Sequence, residues 1–361
     1  MVFRLLVILI GVLFIGFVYG VLKYSLKLTK KLVKNKVLSC ILAFIPLILV
    51  GIGLYYDTVD SITVNLYLML IVLLTKFIFF IIQKISKKSF NDYTSIIVGV
   101  LITTIVMCWG YYSVYNIKET DYAISTTKDI DSSKLRIVAI TDSHIGTTID
   151  GKDLYKYVER INMLNPDLVV FVGDFVDDGT LYEEMKEAAS SLGNLKTKYG
   201  VYFAYGNHDR GYYNSRDFKD KELREELTKN NIVILQDDIV NITDNVVLVG
   251  REDFERSRKS IADLIKEIDE DKYIIVLDHQ PNDFTNEKNA NVDLVISGHT
   301  HGGQVFPLGP IGVLIGANDE YYGLFKRDNT NFVVSSGISD WAMKFKVGAI
   351  SEYVVIDVTN Q

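Results

Sequence analysis

All five histidines of the chain lie in polar loops that directly follow runs of β-branched and aromatic residues, and such runs are typical of buried strands. The stretch SGHTHGGQ contains two of them one residue apart, and TDSHIG, YGNHDRG and LDHQP contain one each. In chain order they are His144, His208, His279, His299 and His301. A single histidine in such a loop is usually a structural residue. Here all five histidines lie at strand ends, beside acidic residues and an asparagine, and this indicates one shared polar site.

Oxygen-bearing side chains occupy the same strand ends, at Asp142, Asp174, Asn207 and Asp209. Oxygen and imidazole donors without thiolate suit Mn, Fe or Zn ions, and open α/β sheets carry such sites beyond the carboxyl ends of their strands. A site for two ions needs a shared ligand. Asp174, in VGDFVDD, is the candidate because a carboxylate has two oxygens with which to span ions about 3.5–4 Å apart.

The elements that must position these residues alternate along the second part of the chain. After residue 133, short apolar runs such as LRIVAIT and DLVVFVG alternate with amphipathic helical patterns such as DLYKYVERINML. Alternation of strands and helices predicts an α/β layered domain. The last strands follow one another without helices, which favours a mixed sheet or two sheets packed face to face.

The motifs DSH, GDFVD, GNHD, an isolated DH and GHTH, in this order and with these gaps, closely resemble those of the calcineurin-like metallophosphoesterases. The resemblance covers approximately residues 134–358. GHTHGGQ and LDHQP are further similar to the membrane-associated bacterial phosphodiesterase branch, although SSGISDWAMKFKVGAISEY departs from the ending typical of that branch. The resemblance implies two mixed sheets flanked by helices, and hydrolysis of a phosphate ester by a hydroxide that bridges two metal ions.

The resemblance also implies a role for each residue of the site. Asp142, His144, Asp174 and His301 would hold the first metal, and Asp174, Asn207, His279 and His299 the second. His208 would face the phosphate as an electrostatic clamp and as the general acid for the leaving group. Asp209 would orient it, because a histidine is positioned and polarised by an acceptor on its other nitrogen.

Four apolar stretches, each close to the length of about 20 residues that a membrane-spanning helix needs, fall before residue 115. They cover residues 3–22, 37–56, 62–82 and 94–114. The predicted organisation is four transmembrane helices over 1–115, a linker with at most one edge strand over 116–133, and the metallophosphoesterase domain over 134–361. A cleaved signal peptide is the alternative for the first stretch, since Arg4 precedes it and Val18, Tyr19 and Gly20 form an acceptable cleavage site.

Loop charges predict the orientation. Six lysines lie between the first two stretches and three between the last two, whereas the middle loop carries Asp57 and Asp60 and no base. The positive-inside rule places both basic loops in the cytoplasm, so everything after residue 115 is predicted on the extracytoplasmic side. The two cysteines, Cys40 and Cys108, fall inside predicted spans, which leaves the outer domain without a disulfide.

The charge of the chain is divided unevenly. Residues 1–115 contain 11 Lys+Arg and 3 Asp+Glu, a net charge of +8, and residues 116–361 contain 27 and 42, a net charge of −15. Such an acidic domain argues against nucleic acid as a partner, because binding there depends on basic residues that neutralise phosphates. A phosphate ester would need local positive charge from metals and histidines.

Three other groups of residues have two interpretations each. Asp177 and Asp178 could support the site or lie in a solvated loop. Arg251, Glu252 and Asp253 could form a structural salt bridge or belong to the site. The aromatic residues Tyr321, Tyr322, Trp341 and Phe345 could line a substrate groove or pack in the core.

These observations predict a multi-pass protein of the cell membrane whose outer domain hydrolyses a phosphate ester with two divalent ions as cofactors. Closeness to the bilayer favours lipid-linked or cell-envelope esters. A metal-binding sensor or scaffold without turnover is the main alternative. The acidic surface argues against a nuclease, and the spans contain no Asp, Glu or His that would indicate a transport unit.

Overall fold

The computed structural model describes residues 2–212 and 215–360, apart from the side chains of residues 2–14, 17, 32 and 92. The chain divides into two compact units, Met1–Cys108 and Trp109–Gln361. The boundary lies within a helix that begins in the first unit and ends in the second.

The first unit is helical. Its elements are α1 (Val2–Leu32), α2 (Lys36–Ala43), α3 (Ile45–Tyr56), α4 (Thr58–Ser86) and the greater part of α5 (Asp92–Tyr115). Within the described residues, three segments are long and apolar enough to cross a membrane, and these are Lys36–Tyr56, Thr58–Ser86 and Tyr93–Tyr115. They coincide with the second, third and fourth predicted spans. The first predicted span, 3–22, lies in α1, and most of its side chains are outside the described residues.

The second unit contains two six-stranded mixed sheets. The first has the order β1 (Lys118–Thr126), β12 (Glu352–Asn360), β2 (Lys134–Ile140), β3 (Leu168–Val172), β4 (Val201–Ala204) and β5 (Ile232–Leu235). The second has the order β10 (Gly323–Arg327), β11 (Thr330–Val334), β9 (Leu294–Ser297), β8 (Tyr273–Leu277), β7 (Val246–Gly250) and β6 (Asp238–Asn241). The central strands β2 to β5 run parallel to one another, as do β7, β8, β9 and β11.

Apolar side chains fill the space between the two sheets and also cover their outer faces. Ile137 and Val170 from the first sheet and Leu248 and Ile275 from the second belong to one buried cluster between the sheets. Successive strand residues point to opposite faces, so strands buried on both faces read as continuous apolar runs, as these do. The predicted architecture of two mixed sheets flanked by helices is confirmed.

Helices pack on both outer faces. The first sheet is covered by α6 (Gly151–Met163), α7 (Tyr182–Leu192) and α8 (Asp220–Lys229), and the second by α9 (Ile261–Ile265) and α10 (Phe284–Asn289). In α6, Asp150 caps the first turn by accepting from the Asp153 N–H. Leu154, Val158 and Ile161 follow at helical spacing and are fully buried against the sheet. A further helix, α11 (Leu308–Leu314), follows the last loop of the site.

The predicted linker over 116–133 is largely part of the domain. Strand β1 pairs in parallel with β12 from Lys118 opposite Glu352 to Thr126 opposite Asn360. The partner strand lies at the other end of the domain sequence, so the local pattern of residues gave only a weak indication of this pairing. The second compact unit accordingly begins before residue 134, at Trp109.

Arg251 is at the centre of a buried ion cluster below the second sheet's helices. Its Nη1 lies 2.8 Å from Asp278 Oδ2, 2.6 Å from Asp283 Oδ2 and 3.4 Å from Glu287 Oε1. The side chains of Arg251 and Asp278 are each 2 % exposed. The structural interpretation of Arg251 is therefore confirmed, and the cluster ties the β8 exit to α10.

We expect Arg251→Met to destabilise the protein strongly, because it removes the cation that faces Glu287 and leaves Asp278 and Asp283 with Arg258 alone. The expected loss is about 3–5 kcal/mol, or a fall of about 10 °C in the thermal midpoint. The measurement is thermal unfolding of the full chain in detergent, followed by tryptophan fluorescence. Asp357→Asn is the control, since it breaks the partly exposed pair with Arg136 and should shift the midpoint only slightly. Equal shifts in the two variants would contradict a structural role of the cluster.

Candidate metal centre

The predicted site residues come together because the two sheets present the ends of their parallel strands at the same edge. Asp142, Asp174 and Asn207 follow β2, β3 and β4 of the first sheet, whereas His279 and His299 follow β8 and β9 of the second. The loops meet at a cleft of about 640 Å³. Its lining includes Asp174, Asn207, His208, His299 and His301, with Asp142, His144 and His279 buried beneath them.

Asp142, His144 and His301 form a first group of potential metal ligands. One donor atom from each residue lies within 4.8 Å of the other two. His301 Nε2 is 3.7 Å from Asp142 Oδ1, and His144 Nε2 is 3.5 Å from Asp174 Oδ2. These three residues, with Asp174 beside them, are the set expected for the first metal.

Asp174, His279 and His299 form a second group, again with donor atoms within 4.8 Å of one another. His279 Nε2 lies 3.1 Å from Asp174 Oδ2, and His299 Nδ1 lies 3.0 Å from Asn207 Oδ1. The carboxylate of Asp174 therefore adjoins both groups. This is the position required of a ligand shared between two ions.

The chemistry of the donors fits a divalent transition metal. The groups contain carboxylate oxygens and imidazole nitrogens, which suit Mn, Fe or Zn. Both ring nitrogens of His144 are buried and have no hydrogen-bond partner among the residues that the structure describes. A buried imidazole in this condition is costly unless a nitrogen coordinates an ion. In His279 one ring nitrogen is fixed by the backbone and the other faces the ligand group. Its Nδ1 lies 2.8 Å from the Val172 carbonyl, and its Nε2 faces Asp174.

The backbone at these loops is strained. Five of the expected ligands have left-handed φ angles: Asp142 (52°), His144 (35°), Asp174 (55°), His299 (70°) and His301 (50°). Such a conformation is uncommon outside glycine and costs about 1–3 kcal/mol per residue. This backbone conformation allows N–H groups to hold the carboxylates of Asp142 and Asp174 in place. The His299 N–H donates to Asp142 Oδ1 at 2.9 Å, and the His208 N–H donates to Asp174 Oδ1 at 2.8 Å.

Two glycines of SGHTHGGQ are required by this close packing. A Cβ on Gly298 would overlap the carboxylate of Asp142, so the backbone can approach that acid only without a side chain. Gly302 has a φ of 63°, and a Cβ there would press against Ala349. The glycines thus allow a tight turn around the two histidines, and this turn lets His299 and His301 belong to different ligand groups.

Burial shifts the ionisation of most groups in the centre towards their neutral forms. It raises the pKa of Asp142 to about 6, and it lowers the pKa of His144 to about 4 and that of His299 to about 3. The pair of Asp174 and His279 behaves differently. Although burial opposes both charges, their mutual attraction holds the pKa of Asp174 well below its ordinary value and the pKa of His279 well above. Each group of this pair thus favours the charged form of the other.

His208 is oriented by Asp177 and not by Asp209, which corrects the sequence-based expectation. His208 Nδ1 lies 3.0 Å from Asp177 Oδ1. The Asp209 carboxylate instead accepts from the backbone N–H groups of Asp174 at 2.9 Å, Phe175 at 2.8 Å and Gly206 at 2.7 Å. Its two oxygens are occupied in holding the strand-end loops together. Asp209 is thus a structural residue of the centre, and Asp177 takes the supporting position.

A family profile for calcineurin-like phosphoesterases matches residues 135–303, which contain all seven expected metal ligands and His208. The chain carries a calcineurin-like phosphoesterase domain. An uncharacterized metallophosphoesterase of Campylobacter jejuni is 29 % identical over 280 residues, which cover 76 % of this chain and 73 % of the relative.

Two further relatives of the phosphoesterase domain are matched over a smaller share of their own length. An uncharacterized metallophosphoesterase of Helicobacter pylori is 34 % identical over 227 residues, 61 % of this chain and 58 % of that protein. A transmembrane protein with metallophosphoesterase domain from Danio rerio is 28 % identical over 287 residues, 75 % of this chain and 63 % of that protein. The chain thus spans less than two thirds of the length of these two relatives.

The phosphoesterase domain contains two supporting residues that the sequence did not indicate. Asp340 Oδ1 lies 3.4 Å from His301 Nδ1, on the side of the ring away from Asp142. The Nζ of Lys346, which is fully buried, donates to the Ser339 carbonyl at 2.8 Å and to the Ser336 carbonyl. Both come from the segment that departs from the branch's usual ending, and neither follows a predicted strand with a metal-binding motif. Their role depends on a fold that returns this segment to the cleft.

Three of the four aromatic residues that had two interpretations can be assigned a position in the phosphoesterase domain. Trp341 lines the cleft, with its ring 5.4 Å from that of His208. Phe345 is buried, and the Tyr322 hydroxyl donates to Glu352 at 3.1 Å. The interpretation as a groove residue therefore applies to Trp341.

We expect Asp340→Asn to weaken metal binding, because it removes the negative charge that lies 3.4 Å from His301 Nδ1, on the side of the ring away from Asp142. Loss of such an outer carboxylate lowers metal affinity about 10- to 100-fold. The measurement is Mn²⁺ binding to the full chain in detergent by isothermal titration calorimetry. Asp153→Asn, at an exposed pair with Lys156 on α6, is the matched control. Unchanged affinity in Asp340→Asn would show that His301 does not need this support.

Proposed function

We propose that this protein is a membrane-anchored phosphoesterase that uses two divalent ions, and that its preferred reaction is hydrolysis of a phosphodiester. The observation that carries the proposal is the convergence of two ligand groups on Asp174, with His208 beside them in the same cleft. Esters that are lipid-linked or part of the cell envelope are the proposed substrate class, because the domain follows directly on a helix that is able to span a membrane.

The residues of each proposed ion are those expected from the family. Asp142, His144, Asp174 and His301 would hold one ion, and Asp174, Asn207, His279 and His299 the other. When bound, the ions supply positive charge for the phosphoryl oxygens and lower the pKa of the attacking water. This positive charge is needed because the domain has a net charge of −15 and would otherwise repel an anionic substrate.

His208 is proposed to donate the proton that the leaving oxygen needs. Its ring lines the cleft, and its Nδ1 faces Asp177, which leaves Nε2 as the atom for the substrate. Burial would lower the pKa of His208, but the hydrogen bond to Asp177 and the charges of nearby acids outweigh it and raise this pKa. The protonated ring is thereby favoured, as a general acid requires. Trp341 forms the adjacent wall of the cleft, where it can exclude water from one side of the ester.

We expect the full chain, loaded with Mn²⁺ in detergent, to hydrolyse bis-p-nitrophenyl phosphate. His208→Ala should keep its metal content and lose about 10²–10⁴-fold in kcat, because it removes the electrostatic clamp on the phosphate as well as the general acid. Asp174→Asn should lose both metal and turnover, because it removes the shared ligand. The measurements are p-nitrophenol release and the ion content by mass spectrometry, with p-nitrophenyl phosphate as the monoester comparison.

The same experiment tests the alternative of a sensor or scaffold domain. A folded chain that binds two ions but hydrolyses neither ester with Mn²⁺, Fe²⁺ or Zn²⁺ would contradict the phosphoesterase proposal. Faster turnover of the monoester would retain the reaction class and overturn the preference for diesters.

We expect Asp177→Asn and Asp209→Asn to separate catalysis from stability. Asp177→Asn should lower kcat about 10-fold or more with little change in thermal midpoint, because it weakens the acceptor that orients His208. Asp209→Asn should lower the thermal midpoint, because an amide group would present N–H to backbone N–H groups that now donate to a carboxylate. The opposite assignment of the two effects would restore Asp209 as the partner of His208.

We further propose four membrane spans with the phosphoesterase domain on the extracytoplasmic side. The helix α1 would be the first span, and Lys36–Tyr56, Thr58–Ser86 and Tyr93–Tyr115 the other three. The lysines in the last turns of α1 and α4 and in the loops that follow them support this orientation, since basic segments next to a span are retained in the cytoplasm.

We expect a thiol on the domain to be accessible from outside intact cells. Met163, 73 % exposed at the end of α6, can be replaced by cysteine in a chain that also carries Cys40→Ser and Cys108→Ser. A membrane-impermeant maleimide should label Met163→Cys in intact cells. The control, Lys34→Cys in the first basic loop, should react only after permeabilisation. The reverse pattern would place the domain in the cytoplasm.

A further inference from the structure

The segment 306–317, with the sequence FPLGPIGVLIGA, presents apolar side chains to the surface of the phosphoesterase domain. It contains no charged residue. Phe306 is 61 % exposed, Leu308 53 %, Leu314 85 % and Ile315 70 %. A continuous run of large exposed apolar side chains on an otherwise acidic domain is unusual and indicates an interaction surface.

The 306–317 segment adjoins the mouth of the metal cleft. It begins two residues after Gln304, which lines the cleft together with Trp341. The Gln304 side chain donates to Asp340 at 2.9 Å, and it also donates to the Trp341 carbonyl. Trp341 is itself 42 % exposed. Whatever covers the segment therefore lies beside the opening through which a substrate enters.

The same segment is joined by backbone hydrogen bonds to the end of α5. The Phe306 N–H donates to the Val347 carbonyl at 2.7 Å, and the neighbouring Lys346 N–H donates to the Gly110 carbonyl at 3.0 Å. A Cβ on Gly110 would press against the Lys346 carbonyl, so this contact requires glycine in the helix. The segment and the last turns of α5 are thus held in a fixed arrangement within one compact unit.

The end of α5 has the composition of a helix that leaves a membrane. Trp109 is 60 % exposed, Tyr111 57 % and Tyr112 49 %. Tryptophan and tyrosine are enriched where a spanning helix meets the head groups, because their rings are apolar at one end and polar at the other. These aromatic residues close the segment Tyr93–Tyr115, which is long and apolar enough to span.

We propose that the 306–317 segment inserts into the outer leaflet of the chain's own membrane and holds the mouth of the cleft at the depth of the lipid head groups. The 306–317 segment is hydrogen-bonded through residues 346 and 347 to the aromatic end of α5. This connection points to the bilayer as the partner that covers the segment. The strongly acidic domain would be repelled by anionic lipid, so the attraction must come from apolar burial. A second copy of the chain is the competing occupant, and the test below distinguishes it.

The consequence for the substrate rests on the proposed function. A cleft at head-group depth would receive a phosphate ester whose apolar part stays in the leaflet, and the reacting phosphorus would not have to leave the interface. The membrane contact itself does not depend on hydrolysis and can be measured without it.

The test places an environment-sensitive nitrobenzoxadiazole label on Leu314→Cys in a full chain that also carries Cys40→Ser and Cys108→Ser. The labelled protein is reconstituted in phosphatidylcholine vesicles with and without lipid that carries a nitroxide near its head group. We expect a blue-shifted emission and at least about 2-fold quenching by the nitroxide lipid. The same label on Met163→Cys, on the helix α6 at 73 % exposure, should show neither effect.

Two outcomes would overturn the proposal. Equal, unquenched emission at both positions would show that the segment faces water. A blue shift that is insensitive to nitroxide lipid but grows with the protein-to-lipid ratio would show that a second copy covers it.

A second variant connects the segment to substrate entry. Leu314→Asn with Ile315→Asn should leave hydrolysis of soluble bis-p-nitrophenyl phosphate within 2-fold. Hydrolysis of a long-chain alkyl p-nitrophenyl phosphate dispersed in the same vesicles should fall about 10-fold. Equal rates for the variant and the parent on both substrates would contradict a role in substrate entry. If neither chain hydrolyses the soluble ester, the proposed function fails, and the quenching result still decides the membrane contact.

Discussion

The centre depends on the burial of two carboxylates, Asp142 and Asp174, away from bulk water. Burying an ionised acid is costly unless cations and N–H groups compensate it. Much of the local structure provides this compensation. The backbone turns through left-handed conformations to aim N–H groups at the acids, glycine at position 298 lets the chain approach Asp142, and the imidazole of His279 lies opposite Asp174. A divalent ion is a stronger counter-charge than any of these, so the same loops that stabilise the protein alone are ready to bind metal.

The acids around the centre have separate tasks, although they lie within a few residues of one another. Asp174 faces the ligand groups, Asp177 supports His208, and Asp209 receives backbone N–H groups from two strand-end loops. Neighbouring acids of like charge would repel if all faced the same point. Because each carboxylate faces a different partner, the three can lie close together. Substitutions of the three acids should therefore have different effects.

Most of the fold, and the meeting of the polar residues at the strand ends, could be predicted because their signals are local. Apolar runs followed by DSH, GDFVD, GNHD and GHTH indicate both a strand and the polar loop that follows it. The three segments that are able to span a membrane are continuous apolar stretches in the sequence. Relations between distant residues were not predictable in this way. Asp209 stands next to His208 in sequence, but its side chain points into the loops, whereas Asp177 reaches His208 from another loop. Asp340, Lys346 and strand β1 likewise gain their roles only through contacts with distant parts of the chain.

The two ligand groups expected for the metals draw donors from both sheets, whereas a third group, His144, Asp177 and His208, comes from the first sheet alone. Asp142 and His144 come from the first sheet and His301 from the second, and the group around Asp174 is divided in the same manner. Bound ions would therefore act as crosslinks across the seam between the layers. The spacing of two such ions would then follow from how the sheets pack, through side chains such as Val170 and Ile275 of the buried cluster between the layers. Core volume in this domain would thus help to determine metal geometry, and a small shift of one layer over the other would alter the coordination of a bound ion.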